Sequence, residues 1–231
     1  DIINFILNDI NKEKELFGKS CLVTAGPTHE NIDPVRYIGN RSSGKMGSAI
    51  AEELAEKGAT VTLVMGPSSI KSNHPNVNQI NVTTADEMYE VVSQHFSESD
   101  ISVFSAAVSD YKPKVVYKEK VKKLDDNWTV ELEKNKDILM EMSLSKRENQ
   151  FVVGFALETE NEQENAINKL KKKKLDLIIL NSTKDSGATF GFDTNKITII
   201  EKDLKVREFD LKNKSEVAKD IVSAIIKKLN K

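Results

Sequence analysis

The sequence predicts an α/β protein: a doubly wound, mostly parallel sheet with an inserted flap or hairpin. Three observations carry this. Short apolar runs alternate with segments of helical period along most of the 231 residues, the rhythm of repeated βαβ units. Gly, Pro, Asn or Ser closes most of those runs, as at Gly26-Pro27, Gly66-Pro67 and Asn181, where regular structure ends. One lysine-rich stretch, residues 105–135, breaks the rhythm and reads as the insertion. A chain of this length suits one substantial domain, with room for a small appendage.

Taken in order, residues 1–18 read as a helix and a connection, with Ile2, Phe5, Ile6 and Ile10 along one face and Gly18 at the end. The first strand runs over about 20–25. A long polar loop follows. Ile50, Leu54 and Ala55 then mark a helix over about 45–57, closed by Gly58. Thr60–Met65 is the second strand and Val77–Val82 the third. Thr84 or Asp86 caps a helix reaching about His95. Ile101–Ser105 is the fourth strand. Within the insertion, Trp128 to Leu132 alternates like a half-exposed strand. The pattern then resumes: a helix over Asp137–Leu144, a strand over Phe151–Phe155, a helix over Glu162–Lys173 and a buried strand over Leu175–Leu180. Thr189–Asn195 is a Gly-containing loop. Ile197–Ile200 and Val206–Phe209 form a closing hairpin, and Ser215–Leu229 a terminal amphipathic helix.

A formal charge of −2 gives no general attraction to nucleic acid or anionic membrane. The single cysteine, Cys21, excludes an internal disulfide framework and sits in an apolar run, which suits a reducing compartment. No apolar run approaches the roughly 20 residues of a membrane span. His29, His74 and His95 follow no metal-ligand spacing. No Ser/His/Asp arrangement or G-x-S-x-G elbow appears.

The chemistry is expected at Leu22–Gly47, LVTAGPTHENIDPVRYIGNRSSGKMG. A strand, a polar Gly-containing loop and a helix start place free backbone N–H groups and the helix dipole at one point, which suits an anion. Two phosphate motifs nearly fit. Residues 39–45 match the first seven positions of a Walker A loop, but Met46 stands where a hydroxyl must hold magnesium. The dinucleotide fingerprint G-x-G-x-x-G is absent, which argues against a dehydrogenase. Small or polar groups also follow two other strands, at 105–111 and 154–159. With Lys120, Lys169 and Lys173 they describe a pocket for a polyanion. In parallel sheets such pockets lie beyond the carboxyl ends of strands. These residues favour an enzyme that binds a nucleotide or phosphate ester over a hydrolase with its own nucleophile.

Several stretches resemble bacterial phosphopantothenate–cysteine ligase, usually the carboxy-terminal half of a bifunctional coenzyme A biosynthesis protein. They are AGPTHENIDPVRYIGNRSSGKMG at 25–47, AAVSDYKP at 106–113, EKVKK at 119–123, VVGFALET at 152–159, LDLIILN at 175–181 and FGFDTNKITII at 190–200. The resemblance implies a Rossmann-like, cytoplasmic ligase using CTP with Mg2+. It joins 4′-phosphopantothenate to L-cysteine through an acyl-cytidylate, and no flavin belongs to this chain. It implies that Asn40 and Lys120 are catalytic. Arg36, Asn40, Ser42, Ser43, Gly44, Lys45 and Met46 would bind substrate. Phe104, Ser105, Ala106, Asp110 and Lys120 would meet the nucleotide, as would Phe155, Ala156, Leu157, Glu158, Lys169 and Lys173. It further implies a homodimer joined through the inserted segment, with residues 19–231 as the ligase domain. Residues 1–18 would connect it to a flavin-dependent decarboxylase half. Ser109 and Lys136 depart from the family pattern without removing a needed group. The alternative is a catalytically inactive regulatory relative of the same fold, which the presence of both Asn40 and Lys120 argues against.

Overall fold

The computed structural model describes residues 14–122, 127–182 and 192–230. An eight-stranded sheet organises the chain. Its parallel strands are β1 (Ser20–Ala25), β4 (Thr60–Met65), β5 (Val77–Asn81), β6 (Ile101–Phe104), β9 (Phe151–Glu158) and β10 (Leu177–Ser182). β12 (Ile197–Glu201) and β13 (Val206–Glu208) add an antiparallel hairpin at one edge. The spatial order is β13-β12-β10-β9-β6-β1-β4-β5. The chain winds outward from β1 in one direction through β4 and β5, then returns and continues from β6 the other way. The order therefore reverses between β1 and β6. A crevice opens at the carboxyl ends of such a pair, because the connections leave in opposite directions.

Helices cover both faces. On β1, Cys21, Val23 and Ala25 face one layer and Leu22 the other, as a two-residue period requires. The first layer holds α1 (Lys45–Glu56), through Ile50 and Leu54, and α5 (Lys214–Leu229), through Val217 and Ile221. The second holds α2 (Ala85–Phe96), α3 (Ile138–Leu144) and α4 (Glu162–Lys172), through Met88, Leu139 and Leu170. Local chemistry places several ends. Thr84 and Glu87 form a reciprocal capping box at α2. Asp137 caps α3 by accepting from the Met140 N–H at 3.0 Å. Gly58, with φ of 97°, turns the chain out of α1, whose last helical residue precedes the expected bound by one.

Three expectations need correction. The connection after β1 is not a plain loop: β2 (His29–Asn31) and β3 (Tyr37–Gly39) pair as a hairpin. His29 stacks on Tyr37 with centroids 3.7 Å apart, and buried Glu30 accepts from the Ala85 N–H at the start of α2. β2 is wholly polar, His-Glu-Asn, and each strand is three residues long, so neither run reads as a strand. Second, the inserted strand is β8 (Leu132–Lys134), paired with β7 (Tyr111–Pro113), and not residues 128–132. Trp128 instead lies under the Arg36 guanidinium, 4.2 Å from ring centroid to Cζ. Third, the expected loop at 189–195 ends in a two-residue strand, β11 (Thr194–Asn195), paired with β14 (Lys212–Asn213). Its residues 189–191 lie outside the described residues. Most of the expected N-terminal helix does as well. Its described end, from Lys14, is a turn held on α1 by the Leu16 N–H to the Lys57 carbonyl.

Candidate functional site

The cleft lies at the switch point between β1 and β6 and encloses about 420 Å³. Backbone pairing carries its floor past the strand ends. The Ser105 N–H donates to the Thr24 carbonyl at 3.2 Å and the Ala107 N–H to the Gly26 carbonyl at 2.9 Å. α1 begins against this floor. A Cβ built on Gly47 would stand 2.5 Å from both the Ala25 Cβ and the Ser105 Oγ, so only glycine lets the helix start this close. The residue before α1, Gly44, has φ of 81°, and no side chain caps the helix. No acidic residue sits in its first turn. Its leading N–H groups therefore face the cleft with the positive end of the helix dipole.

Most expected site residues meet here. Asn40, Ser42, Ser43, Gly44, Lys45 and Met46 line one wall. Phe104, Ser105, Ala106 and Asp110 line the floor, and Phe155, Ala156, Leu157, Lys169 and Lys173 the opposite side. Asn40 spans the opening: its amide donates to the Ala107 carbonyl at 3.0 Å and the Val108 carbonyl at 3.1 Å.

Three expected residues are not in the lining. Lys120 is exposed on the inserted segment, outside the cleft. Glu158 ends β9 beyond the cleft, where its carboxylate accepts from Asn165 at 3.4 Å. Arg36 turns to buried Asp33, donating to its carboxylate through Nε at 3.0 Å and through Nη2, and also to the Val121 carbonyl at 3.0 Å. Asp33 also accepts from the Val35, Arg36 and Val121 N–H groups. Arg36 holds its carboxyl well below the usual carboxylate range, with those backbone donors helping. The pair thus ties the segment carrying Lys120 to the β2–β3 turn.

Several lining residues escaped the sequence reading. Residues 135–139 form part of the wall, with Lys136 placing its ammonium 4.0 Å from the Tyr89 ring centroid. Asn181, Asn195 and Lys214 complete it. Asn181 carried a signal, since it ends a buried strand. Asn195 stood in the matched stretch 190–200 without a role assigned to it, and Lys214 carried no signal, because only α5 brings it to the cleft.

The cleft is cationic from both helical layers. From α4, Lys169 donates to the Phe155 carbonyl at 2.7 Å, and Lys173, just after the helix, pairs with Asp137 at 2.7 Å. Burial, and then the neighbouring Lys173, lower the pKa of Lys169. Burial alone would raise Asp137, but the Lys173 hydrogen bond and the Met140 N–H hold it low. From the other layer, Lys45 pairs with Asp193 and Lys214 donates to the Phe192 carbonyl. Burial and Lys45 lower Lys214. Acidic side chains in the lining are Asp110 and Asp137. Among the described residues no three His, Cys, Asp or Glu side chains converge as a metal site. Cys21 is buried in the core, where burial raises its thiol pKa far above the ordinary range.

A family profile, the DNA/pantothenate metabolism flavoprotein C-terminal domain, matches residues 16–229. The chain belongs to this family. Among its relatives, the coenzyme A biosynthesis bifunctional protein CoaBC of Bacillus subtilis is 44% identical over 210 residues, covering 91% of this chain and 52% of that protein. CoaBC of Haemophilus influenzae is 40% identical over 231 residues, covering 100% and 57%. A cysteine/cysteine sulfinic acid decarboxylase from an unknown prokaryotic organism is 45% identical over 226 residues, covering 98% and 63%. The chain therefore spans between about half and two thirds of these relatives. The crystal structure of the C-terminal domain of a CoaBC superposes with a TM-score of 0.81 at 39% identity, covering 94% of this chain and 99% of that one. A Cab2 mutant in complex with phosphopantothenate-cysteine shares the fold, with a TM-score of 0.71 at 17% identity and coverage of 98% and 94%. The Rossmann-like fold of the family is the one described above, with its cleft at the switch point. Among the described residues no helix is long and apolar enough to cross a membrane.

Proposed function

We propose that this flavoprotein C-terminal domain is a CTP-dependent phosphopantothenate–cysteine ligase of coenzyme A biosynthesis, acting in the cytoplasm. The observation that carries the reading is the cleft itself. It brings lysines from both helical layers and an uncapped helix N-terminus to one place, and among the described lining residues no His stands by to activate a serine and no Cys is present. Such a site binds and orients two anionic substrates and lets them react with each other. The acid's carboxylate attacks the nucleotide α-phosphorus, forming a mixed anhydride as the bond to pyrophosphate breaks. The cysteine amine then attacks the acyl carbon. A C–N bond forms, CMP leaves with the C–O electron pair, and the amine gives up a proton. Lys169 and Lys173 hold the nucleotide phosphates while charge builds on them. Reaching those phosphates requires Lys120 to swing in from its place outside the cleft.

The residues fit a magnesium ion that arrives on the triphosphate, since such ions are usually held by one or two carboxylates plus phosphates. Asp110 would hold it, Asp137 being engaged by Lys173. The ion would neutralise phosphate charge. The same relatives support a tether to a decarboxylase half in the complete protein.

The test is pyrophosphate release and amide formation with phosphopantothenate and cysteine, comparing CTP with ATP. We expect turnover with CTP, and each ligation to need both acid and amine. A folded protein that binds CTP and never releases pyrophosphate would favour the inactive relative. Preference for ATP would reject the nucleotide assignment.

The ligase is further proposed to be a homodimer. Val35, Tyr37, Val116, Tyr117, Trp128 and Leu132 are all exposed on the β2–β3 and β7–β8 hairpins. Two-stranded hairpins are marginal alone, and a twofold partner would bury this face. Sedimentation equilibrium at micromolar concentration should give twice the chain mass, and Trp128→Glu should shift it to monomer.

A further inference from the structure

The connection from β4 to β5, residues 66–76, contains no helix and runs along α1 as a strap. It leaves β4 across the end of β1. A Cβ built on Gly66 would stand 1.7 Å from the Pro27 carbonyl oxygen, and one on Gly26 would stand 3.2 Å from the Gly66 nitrogen. Only glycine permits that crossing. Beyond it the strap is held by polar groups. Gln79 of β5 accepts from the Ser72 N–H at 3.0 Å and donates to the Ile70 carbonyl at 3.3 Å. Ser72 donates to Glu52 of α1 at 3.1 Å, and the His74 Nε2 lies 3.5 Å from the Glu56 carboxylate at the end of that helix. These bonds bring Ser68 to the residue that precedes Gly44. The Ser68 oxygen accepts from the Ile70 N–H at 3.1 Å, so its own proton goes to the Ser43 carbonyl, at 2.8 Å.

The Ser43–Gly44 peptide has two orientations open to it, because glycine adopts φ of either sign about equally readily. A trans peptide sends its C=O and N–H to opposite sides. The carbonyl is held by Ser68, which does not line the cleft. The Gly44 N–H therefore turns inward, toward the cleft-lining Ser42 Oγ across a long 3.4 Å. The reverse orientation would aim the Ser43 carbonyl oxygen into the cleft, where the leading N–H groups of α1 converge. An anion there would meet a lone pair instead of a donor. Resting on the ligase reading, with its anionic substrates, we infer that Ser68 is a positioning residue. From outside the cleft its hydroxyl latches the Ser43–Gly44 peptide with the donor inward, and it touches no substrate itself.

NMR of the full chain without ligand reads the latch directly, because the two N–H to Hα couplings of Gly44 report its φ. The unaltered protein should show the single positive φ of 81°. Ser68→Ala should show couplings averaged over both signs, and Ser68→Thr, which keeps the hydroxyl, should restore the single state. Titration with CTP and with 4′-phosphopantothenate reads the consequence. Ser68→Ala should weaken at least one of them roughly 3- to 10-fold, the loss of one hydrogen bond, and threonine should recover it. Melting temperatures of the three proteins should agree, since Ser68 is exposed. Unchanged couplings in Ser68→Ala would overturn the latch, and weaker binding alongside them would make Ser68 a substrate contact instead. Averaged couplings with both affinities unchanged would overturn the link from this peptide to anion binding. If the unaltered protein binds neither substrate, the ligase reading itself fails, while the couplings still decide the latch.

Discussion

Asn40→Asp is expected to cut formation of the amide product roughly 100- to 1000-fold, the usual cost of losing one donor to a developing oxyanion. The change is nearly isosteric, so size does not account for the effect. Asn40 is the one expected catalytic residue in the cleft lining, and its amide donates to the carbonyls of Ala107 and Val108 across the opening. Turning one of those N–H bonds to an acyl-phosphate oxygen stabilises the charge formed when cysteine attacks. An aspartate has no N–H to give, and its charge faces both carbonyls and phosphate. Single-turnover analysis with labelled phosphopantothenate should show a stoichiometric burst of pyrophosphate and an accumulated acyl-cytidylate. Equal loss of both half-reactions would restrict Asn40 to clasping the two walls together.

The second large effect is expected at the α4 lysines. The double change Lys169→Met, Lys173→Met should weaken CTP by at least about 100-fold, because two charged hydrogen bonds at roughly 1.5–3 kcal/mol each are lost. Methionine keeps the long apolar stem, so packing changes little. Titration of CTP at several pH values tests the electrostatics. Burial and Lys173 make Lys169 easier to deprotonate than an ordinary lysine. Its charge, and with it CTP affinity, is present at low pH and lost on raising pH, before exposed lysines titrate. In Lys173→Met alone, one of the two causes is gone and the fall should move to higher pH. A fall that stays in place would place the titrating group elsewhere. Unchanged affinity in the double variant would restrict both lysines to bracing the cleft wall through the Phe155 carbonyl and Asp137.

The regular elements were legible because their causes are local. Alternation in β1, the 3.6-residue period of α1 and the Thr84/Glu87 box each lie within a few residues of chain, and their places agree closely with expectation. The glycine-bearing cradle at the cleft was legible for the same reason: Gly44, Gly47 and the helix start are contiguous. Motif resemblance extended this to the floor at 104–110 and to the lysines of α4.

What the sequence by itself determined is thus an α/β sheet with a candidate site at the end of its first strand, and the family to which it belongs. Tertiary structure decided which lysines face that site. Lys120 stands in the most lysine-rich motif and lies outside the cleft. Lys214, more than 160 residues from the cradle, lies in it. Arg36 was read as a substrate ligand, but buried Asp33 and the Trp128 ring claim its guanidinium. The reason is physical. Local patterns record which face of an element is apolar, whereas a polar side chain goes to whichever partner the sheet order brings near it. The crossing from β5 back to β6 creates the cleft, and the return of the edge hairpin to α5 sets Asn195 and Lys214 against it.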